Sequence, residues 1–582
     1  MRRTTRGTIA ALSTLVLAAV VAGCSDDAGE GESSTSASRG QVSGPDDRLT
    51  VLSAGPVQAW DPQRITDRRT AGFASRMWMR TLTAYPPESA LAGQRTLAAD
   101  LAEDTGRANS DATTWTFSLR SGATWQDGSA ITCEDVQYGV SRSFDDSVAS
   151  SGYALTYLDI PKNSDGSSRY PGPHGKDGDT ASSRELLEDA VECTDDSTVI
   201  FHLAESVGNF DEIVSLPEFA PFKEAEDDAG KAATYGAFSS GPYELKDGWT
   251  ASKGGTWVRN AEWDRASDPL RRTGPTSVLH QEGVEPKDAL AEIVDGEDGG
   301  RTLALDPMPA SLGPALDEAG DVAQSVDTDG QLVDYLAVNA ESTPLRSVRV
   351  RRALAAATDR EAYAEGVGTG TSTWSLLGTA LPSAHETVLD HGPTGDVGAA
   401  KTLLREAKVG TPVELTLAHR EDAPLDEALT DLLPRWKEAG FDVSLEPIAG
   451  EDYFEEISSR RVAEEHDLVW ANWGPDHPSA ATVLPPLFDD RINLTKTSVG
   501  RDYGLWADED VTTAMDRAIG TRDRDDRATA WSDIDTDLLR DGAYLPLRQS
   551  RLTYVAGSEV TSLVGNPVQG GMPEMGIIGV GT

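Results

Sequence analysis

The sequence predicts a mixed α/β protein, and three observations support this class. Period-two alternation and helical spacing of apolar residues both occur throughout the chain. A helical pattern, a glycine and a strand pattern follow one another over residues 425–445, as in half of a βαβ unit. No internal repeat of about 20 to 50 residues is present, which disfavours a solenoid or a propeller. At 582 residues, the chain is long enough for more than one compact unit.

The charge balance excludes several classes of function. Asp and Glu together number 96 against 51 Lys and Arg, which gives a net charge of −45. A surface this acidic repels phosphate backbones and anionic lipid headgroups, so we expect no nucleic-acid partner. Hydrophobic residues make up 38% of the chain and the mean hydropathy is −0.38, values that exclude a multi-span membrane protein.

The first residues are typical of an export signal. Arg2, Arg3 and Arg6 precede an almost continuously apolar stretch at residues 9–21, which is too short to span a membrane permanently. Residues 21–24 read VAGC and resemble the bacterial lipobox, which implies that Cys24 is lipidated and becomes the mature N-terminus. The alternative is an ordinary cleaved signal with an incidental cysteine.

The residues after Cys24 predict a flexible tether. Residues 25–46 are rich in Ser, Gly and Asp, with one apolar side chain larger than alanine, so they cannot bury enough surface to fold. We therefore assign residues 1–23 to the signal peptide and 24–47 to the tether. The folded part is expected at the extracytoplasmic face of the cell membrane, attached to it through the N-terminal lipid alone.

The first half of the folded region alternates strand and helix patterns. Residues 49–52 predict a buried strand, and residues 70–82 carry apolar side chains at roughly helical spacing. Trp115, Phe117 and Leu119 alternate with polar residues, which predicts a half-buried strand. The spacing of Thr132 and Asp135 predicts a helix N-terminus with a capping box.

The second half gives longer helical patterns. Residues 185–191 predict a short helix and residues 199–203 a strand. Further helices are expected at 350–363, 396–407 and 425–439, on the basis of alanine content and of the glycines that follow. The last of these contains Pro434. Alternation of apolar and polar residues predicts a strand after it, at 441–445.

Motifs that would indicate an enzyme or a metal site are absent from the sequence. No two histidines are three or four residues apart, so no zinc site is predicted from local spacing; the histidines are His174, His202, His280, His385, His391, His419, His466 and His477. There is no GxSxG elbow and no phosphate-binding loop. We expect neither a metal nor a cofactor. A hydrolytic triad assembled from distant residues stays open.

The other two cysteines offer one disulfide. Cys133 and Cys193 lie in an exported chain and enclose about sixty residues, so a bridge would stabilise the fold by roughly 3 to 4 kcal/mol. Two buried free thiols are the alternative.

Residues 473–478, WGPDHP, predict an irregular loop. Glycine and proline there disfavour both a helix and a regular strand. A ring such as Trp473 beside a carboxylate such as Asp476 can line a ligand cleft, where the ring supplies apolar area and the carboxylate pairs with a cation. The alternative is a surface turn with a packed tryptophan.

Several motifs resemble the family 5 extracellular solute-binding proteins of ABC importers. Residues 115–128, WTFSLRSGATWQDG, are similar to the family's "ytFtLRdGvkFhDG" and continue into ITCEDV, similar to "ltAeDV". Shorter similarities are WDP at 60–62, LAADLAE at 97–103, SGPY at 240–243, VRN at 258–260, VRRAL at 350–354 and YLPL at 544–547. The motifs keep the family's order along most of residues 48–565.

The resemblance implies a type II periplasmic-binding fold, with two lobes joined by a hinge and an additional domain. Residues 48–78, 235–305 and 548–582 would then form one lobe, residues 79–234 the additional domain, and residues 306–547 the second lobe. A Cys133–Cys193 bridge would lie inside the additional domain.

The resemblance also implies a site and a function. The Trp473 loop is similar to the family's "aDYpDP" region, which gives Asp476 the role of holding a peptide's α-ammonium as a desolvated carboxylate in a closed cleft. Trp473 and Gly474 would form a wall. From their position after the first strand alone, Ser53, Ala54 and Gly55 are expected to provide backbone contacts from the opposite lobe.

The expected function is that of a monomeric solute-binding component of an ABC importer, with an oligopeptide as solute and the permease subunits as partners. The lobes would close around the ligand without covalent chemistry. Alternatives are a metal chelate or an oligosaccharide as ligand, a ligand sensor without a transport role, and a secreted hydrolase.

Overall fold

The computed structural model describes residues 47–148, 150–176, 178, 180–227, 234–385 and 391–581. The predicted signal peptide and Cys24 lie outside the described residues, as does the predicted tether except for Asp47. The described residues belong to one compact unit.

A large mixed sheet runs through this unit and contains eleven strands among the described residues. In spatial order the strands are Phe441–Ile448, Val413–Arg420, Leu468–Trp473, Ala323–Val338, Tyr544–Gly557, Thr302–Ala304, Arg48–Ser53, Ser277–Glu282, Gly254–Arg259 and Tyr243–Thr250, with Thr371–Ser372 paired to Tyr544–Gly557. The predicted strands at 49–52 and 441–445 are confirmed, and the second is three residues longer than expected.

The two longest strands connect the halves of this sheet. Ala323–Val338 and Tyr544–Gly557 pair in antiparallel fashion, from Ala323 opposite Gly557 to Ala337 opposite Tyr544. Thr302–Ala304 pairs beside one end of this ribbon, and Leu468–Trp473 pairs beside the other. These two antiparallel strands, which we call the central ribbon, therefore connect the strands beside Thr302–Ala304 with the strands beside Leu468–Trp473.

A separate four-stranded antiparallel sheet has the order Arg107–Ala108, Thr114–Ser118, Thr198–His202 and Val191–Asp195. The alternation of Trp115 and Phe117 is confirmed as the buried side of one of these strands. A disulfide joins Cys133, the first residue of the helix Cys133–Arg142, to Cys193 in the strand Val191–Asp195. The two remaining small sheets pair Thr83–Ala84 with Ala98–Ala99 and Val560–Thr561 with Gly579–Val580.

Helices lie between these strands and pack on the sheets. The α-helices are Arg68–Met77, Leu91–Gln94, Cys133–Arg142, Tyr153–Tyr157, Ala181–Ala190, Phe210–Ile213, Pro286–Asp295, Gly313–Ala319, Val348–Ala357, Arg360–Val367, Val397–Ala407, Ala423–Ala439, Tyr453–Ile457, Arg460–Glu465, Leu484–Phe488, Asp490–Asn493, Glu509–Gly520 and Arg524–Asp541. The capping box predicted from Thr132 and Asp135 is present, with the Thr132 side chain accepting from the Asp135 amide and the Asp135 carboxylate accepting from the Thr132 amide. The helices expected at 396–407 and 425–439 are confirmed to within two residues.

Two helix predictions were wrong in extent. The helix expected over 350–363 is two helices, because Asp359 accepts a hydrogen bond from the Ala362 amide and caps a new helix there. The helix expected over 70–82 ends at Met77. Leu82 is fully buried in the core around the four-stranded sheet, so its apolar character reflects that core and not the helix.

Three hydrophobic cores account for most of the buried apolar residues described. One is built from residues between 333 and 547, a second from residues between 82 and 219, and a third mainly from residues 49–79, 220–305 and 554–578. The division into two lobes and an additional domain stays a prediction, since all of these cores belong to one compact unit. Within the described residues, no helix combines the length and apolar character that crossing a membrane requires.

Candidate functional site

The loop that follows the strand Leu468–Trp473 is held at two points by one threonine. Trp473 pairs with Val333 at the end of its strand, and its indole Nε1 donates to the Thr482 carbonyl at 2.9 Å. The amide of Asp476 donates to Thr482 Oγ1 at 3.1 Å. The irregular backbone predicted for this loop is present, and Thr482 fixes the position of both Trp473 and Asp476.

Gly474 lies where a side chain would be tightly crowded. A Cβ built at this position would lie 3.0 Å from the backbone oxygen of Gln331 and 3.0 Å from its Cγ. Because Gln331 belongs to the long strand Ala323–Val338, the loop packs closely against the central ribbon at Gly474.

Asp476 is exposed, whereas the sequence led us to expect a desolvated carboxylate in a closed cleft. Its Oδ2 accepts a 2.7 Å hydrogen bond from the hydroxyl of Tyr153. Among the described residues, no Lys, Arg or His nitrogen lies within 4.0 Å of its carboxylate oxygens. The carboxylate therefore accepts a hydrogen bond from a neutral hydroxyl, and no cationic side chain of the described residues pairs with it.

Arg68, the first residue of the helix Arg68–Met77, is a cationic side chain that contacts the Asp476 loop. Its guanidinium donates to the carbonyl oxygens of Pro475 and Val568, the latter at 3.1 Å. Desolvation lowers the pKa of Arg68 to about 10, while the negative charge of Asp476 acts in the opposite direction. Arg68 stays charged at neutral pH and ties the Asp476 loop to a helix some four hundred residues earlier in the chain.

Two cavities meet at this loop. The smaller holds about 50 Å³ and is lined by residues including Arg68, Tyr85, Leu216, Asp476, Pro478 and Val568; we call it the Asp476 cavity. The larger holds about 300 Å³ and is lined by residues including Tyr85, Arg95, Glu212, Pro478, Arg527 and Trp531; we call it the Arg95 cavity. Tyr85 and Pro478 line both, so the cavities are neighbours on either side of these two side chains.

Tyr85 is buried between the cavities and stays a neutral phenol. Burial raises its pKa well above the ordinary value, and the carboxylates of Glu212 and Asp211 raise it further. Its hydroxyl has no hydrogen-bond partner among the residues that the structure describes. It is available as a donor to a group in either cavity.

Two ion pairs join the walls of the Arg95 cavity. Arg527 lies 2.6 Å from Glu212, and Arg524 lies 2.6 Å from Asp211. The amide of Gly208 also donates to the carbonyl of Ile519 at 2.8 Å. These contacts hold the helix Arg524–Asp541 and the turn before it against residues 208–212, which lie more than three hundred positions earlier.

Ser53, Ala54 and Gly55 lie apart from both cavities. Ser53 and Gly55 line a third space of about 10 Å³, and the Ala54 amide donates to Asp306 Oδ2 at 2.6 Å. The structure brings Trp473, Gly474 and Asp476 together but does not bring the Ser53–Gly55 segment to them. The contribution of Ser53–Gly55 to ligand binding stays a prediction.

Ser53 forms a serine–histidine pair that resembles part of a hydrolytic site. Its Oγ lies 3.0 Å from His280 Nε2. Burial lowers the pKa of His280 to about 3, and its Nδ1 has no hydrogen-bond partner among the described residues. A catalytic triad needs a third group that orients the histidine through this nitrogen. No such group is bonded to it among the described residues, and the rings of Trp60, Trp249 and Phe73 pack against the imidazole.

Sequence reasoning missed Tyr153, which donates to Asp476, and the residues that line the two cavities. Arg68, Tyr85, Tyr153 and Arg95 come from segments far away in the chain, and no local motif marks them. The described residues contain no group of three His, Cys, Asp or Glu side chains arranged to hold a metal ion.

Comparison with known proteins of similar sequence and fold identifies the family of this chain. A profile of the bacterial extracellular solute-binding proteins, family 5, matches residues 96–494, more than half of the chain. The periplasmic oligopeptide-binding protein OppA of Escherichia coli is 28% identical over 260 residues, which are 44% of this chain and 43% of OppA. The probable D,D-dipeptide-binding periplasmic protein DdpA of Escherichia coli is 22% identical over 551 residues, which are 90% of this chain and 92% of DdpA.

The fold is shared with solved structures. The clavulanic acid biosynthesis oligopeptide binding protein 2 superposes with a TM-score of 0.77 at 24% identity, covering 92% of this chain and 96% of that protein. The mixed sheet and its long central ribbon are thus those of a type II periplasmic-binding fold, as the motifs at 115–128 led us to expect. The chain spans less than half the length of OppA and nine-tenths of DdpA. From the profile match and the shared fold together, the chain belongs to the bacterial extracellular solute-binding proteins of family 5.

Proposed function

We propose that this chain is the lipid-anchored, extracytoplasmic substrate-binding component of an ABC importer and that it binds oligopeptides. The relatives named for oligopeptides and D,D-dipeptides support the ligand class, and the lipobox-like VAGC before Cys24 supports the anchor. The permease subunits would recognise the liganded form and release the peptide unchanged, so the chain would work without catalysis.

The observation that carries the proposal is the state of the Asp476 carboxylate. It faces a cavity, it is oriented by the Tyr153 hydroxyl, and it has no cationic partner within 4.0 Å among the described residues. A carboxylate placed in this way is suited to the α-ammonium of a peptide. When the ligand and the surrounding residues exclude water, the pair becomes stronger, because the dielectric screening between the charges falls.

Binding would change the balance between conformations. In a fold of two lobes, a ligand that contacts both stabilises the closed arrangement by the difference in its affinity for the two states. Arg68 and Tyr153 approach Asp476 from the two segments that we assign to the first lobe and to the additional domain. A ligand ammonium at Asp476 would therefore lie where all three predicted parts meet.

Native mass spectrometry of the purified chain with a pool of tripeptides tests the proposal. We expect peptides with a free α-ammonium to be retained, and N-acetylated peptides of the same sequences to be lost. Asp476→Asn should lose the preference for the free ammonium, whereas Asp317→Asn, which removes an exposed carboxylate elsewhere, should keep it. Retention of acetylated peptides, sugars or metal chelates in place of free peptides would contradict the role of Asp476. Chemical alteration of the ligand would instead point to a hydrolase.

A further inference from the structure

His477 lines the Asp476 cavity as a buried imidazole that lacks a hydrogen-bond partner. It follows Asp476 directly in the chain and is 3% exposed. Its Nδ1 is buried, and the described residues supply neither a donor nor an acceptor to it. The ring packs edge-on against the ring of Tyr153, with 6.3 Å between the centroids. A polar atom in this position has lost its hydration without gaining a bond from the protein.

Other polar side chains that line this cavity already have partners. Arg76 forms a buried ion pair at 2.7 Å, and the hydroxyls of Ser75 and Thr81 donate to backbone carbonyls at 3.0 and 2.7 Å. The Tyr85 hydroxyl differs from these groups, because no partner for it lies in the described part of the chain. The imidazole of His477 and the phenol of Tyr85 are therefore left for a ligand, beside the Asp476 carboxylate.

The charge state of His477 indicates what kind of ligand group it binds. Burial lowers its pKa to about 3, with a contribution from the positive charges of Arg68 and Arg527 and an opposing one from Asp476. The imidazole is therefore neutral at physiological pH, with one donor nitrogen and one acceptor nitrogen. A neutral imidazole suits an uncharged polar group, and it leaves the charge of Asp476 free for an ammonium.

The size of the cavity limits that group to a few atoms. The cavity holds about 50 Å³, whereas a single water needs about 10 to 15 Å³. A hydroxyl is a small uncharged group that both donates and accepts, so it can bond to the imidazole nitrogen and accept from the Tyr85 phenol. Serine and threonine carry a hydroxyl one carbon away from the Cα that bears the α-ammonium. Their side chains therefore fit beside an ammonium held at Asp476.

We propose that His477 and Tyr85 bind the side-chain hydroxyl of the residue whose α-ammonium lies at Asp476, which makes peptides that begin with serine or threonine the preferred solutes. This inference rests on the proposed function and adds to it the class of peptide and two specificity-determining residues. A peptide that begins with alanine or valine leaves the His477 nitrogen desolvated and unpaired. Sites built to bond a hydroxyl reject analogues without it for this reason.

Four pools of tripeptides test the inference. They begin with threonine, valine, serine or alanine, share the same mixture at the second and third positions, and keep a free α-ammonium. Threonine and valine have nearly the same shape and differ by a hydroxyl in place of a methyl group. Native mass spectrometry ranks the members of each pool, and calorimetric titration then compares the strongest peptides with their matched partners.

The wild-type protein is expected to bind the threonine pool about fivefold or more tightly than the valine pool, and the serine pool more tightly than the alanine pool. His477→Phe should remove both preferences, because phenylalanine keeps a ring against Tyr153 but has no hydrogen-bonding atom. His477→Asn should keep part of them, since an amide still donates and accepts. Tyr85→Phe should reduce them. The matched control, His202→Phe, removes a histidine of the four-stranded sheet that lines neither cavity, and it should keep both preferences.

Three results overturn the inference, and they are distinguishable from a failure of the proposed function. If peptides bind the wild-type protein but the threonine and valine pools bind equally, water satisfies His477, and the proposed function stands. A preference for valine or alanine leads to the same conclusion. The assignment to these residues is wrong if His477→Phe keeps the full preference.

If none of the four pools binds the wild-type protein, the proposed function itself fails and the hydroxyl site falls with it. The comparison of threonine with valine on the wild-type protein needs no variant. If His477→Phe does not fold, His477→Asn and Tyr85→Phe test the two residues, and an unchanged preference in both contradicts their role.

Discussion

The hydroxyl of Tyr153 donates a 2.7 Å hydrogen bond to Oδ2 of Asp476, across 323 positions of the sequence. Burial and the Asp476 charge both raise the pKa of Tyr153 well above its ordinary value, so the phenol stays a donor at neutral pH. The bond fixes one carboxylate oxygen and leaves the other free for a ligand. Tyr153 is thus a positioning residue for the candidate site.

Tyr153→Phe is expected to weaken binding of free tripeptides by a few-fold, because an ordinary hydrogen bond contributes about 1 kcal/mol. Asp476→Asn should weaken it by at least tenfold, since it removes the charge that we propose pairs with the ammonium. Calorimetric titration of both variants checks the order. Equal losses of affinity in the two variants would contradict the proposal that Asp476 pairs with the ammonium and that Tyr153 only orients the carboxylate.

The buried pair of Arg527 and Glu212 should be costly to break from one side. Their side chains are 4% and 9% exposed, so Arg527→Gln leaves a desolvated carboxylate and is expected to lower the free energy of unfolding by about 3 kcal/mol. The double variant Arg527→Met with Glu212→Leu should be less destabilised than the single one. Urea denaturation followed by tryptophan fluorescence measures both.

The control for this pair is an exposed one. Arg461 and Glu465 are 64% and 54% exposed, and Arg461→Gln should change the free energy of unfolding by less than about 1 kcal/mol. If Arg461→Gln lowers the free energy of unfolding as much as Arg527→Gln does, burial does not decide how much these ion pairs contribute to stability.

Reduction of the disulfide between Cys133 and Cys193 is expected to destabilise the four-stranded sheet. The bridge closes a loop with a sequence separation of 60, for which the chain-entropy estimate is about 4 kcal/mol. Urea midpoints with and without a reducing agent, with free thiols counted at each point, give the measured value. An unchanged midpoint with both thiols free would show that the bridge does not stabilise the fold.

The contribution of Asp502 to the stability of the protein should fall as the pH rises from about 4 to 8. This carboxyl group is 1% exposed, its Oδ2 has no hydrogen-bond partner in the described residues, and burial raises its pKa to about 8. The folded state therefore holds a proton that the unfolded state releases near pH 4, so this contribution is present at low pH and is lost as the pH passes through the folded pKa.

Asp502→Asn removes this titration. The variant should gain stability relative to the wild-type protein as the pH is raised from 5 to 8, by at most about 1.4 kcal/mol per pH unit. Urea denaturation of both proteins at several pH values between 5 and 8 provides the comparison. A difference that stays constant over this range would contradict the raised pKa.

Local spacing was enough to predict most of the elements but not the site. Thr132 and Asp135 are three residues apart, and their capping box follows from that distance alone. The helix over 350–363 was predicted as continuous because the alanine-rich pattern hides the cap that Asp359 forms. Asp476 was found through a family motif, whereas Arg95 and Tyr153 carry no local signal. They become part of the site only when the fold brings distant segments to the loop.

Gly474→Ala tests whether the close approach of the loop to the central ribbon positions Asp476. The added Cβ would lie 3.0 Å from the Gln331 carbonyl oxygen, in the irregularity of the strand between Asp329 and Val333, so the loop or this irregularity must move by a few tenths of an ångström. We expect weaker peptide binding and a free energy of unfolding lowered by about 1 to 3 kcal/mol, as for other overpacked sites. Gly313→Ala is the control, because a Cβ there meets nothing within 4 Å and the residue begins a helix. If both alanine variants bind peptide as the wild-type protein does, the position of Asp476 does not depend on the absence of a side chain at Gly474.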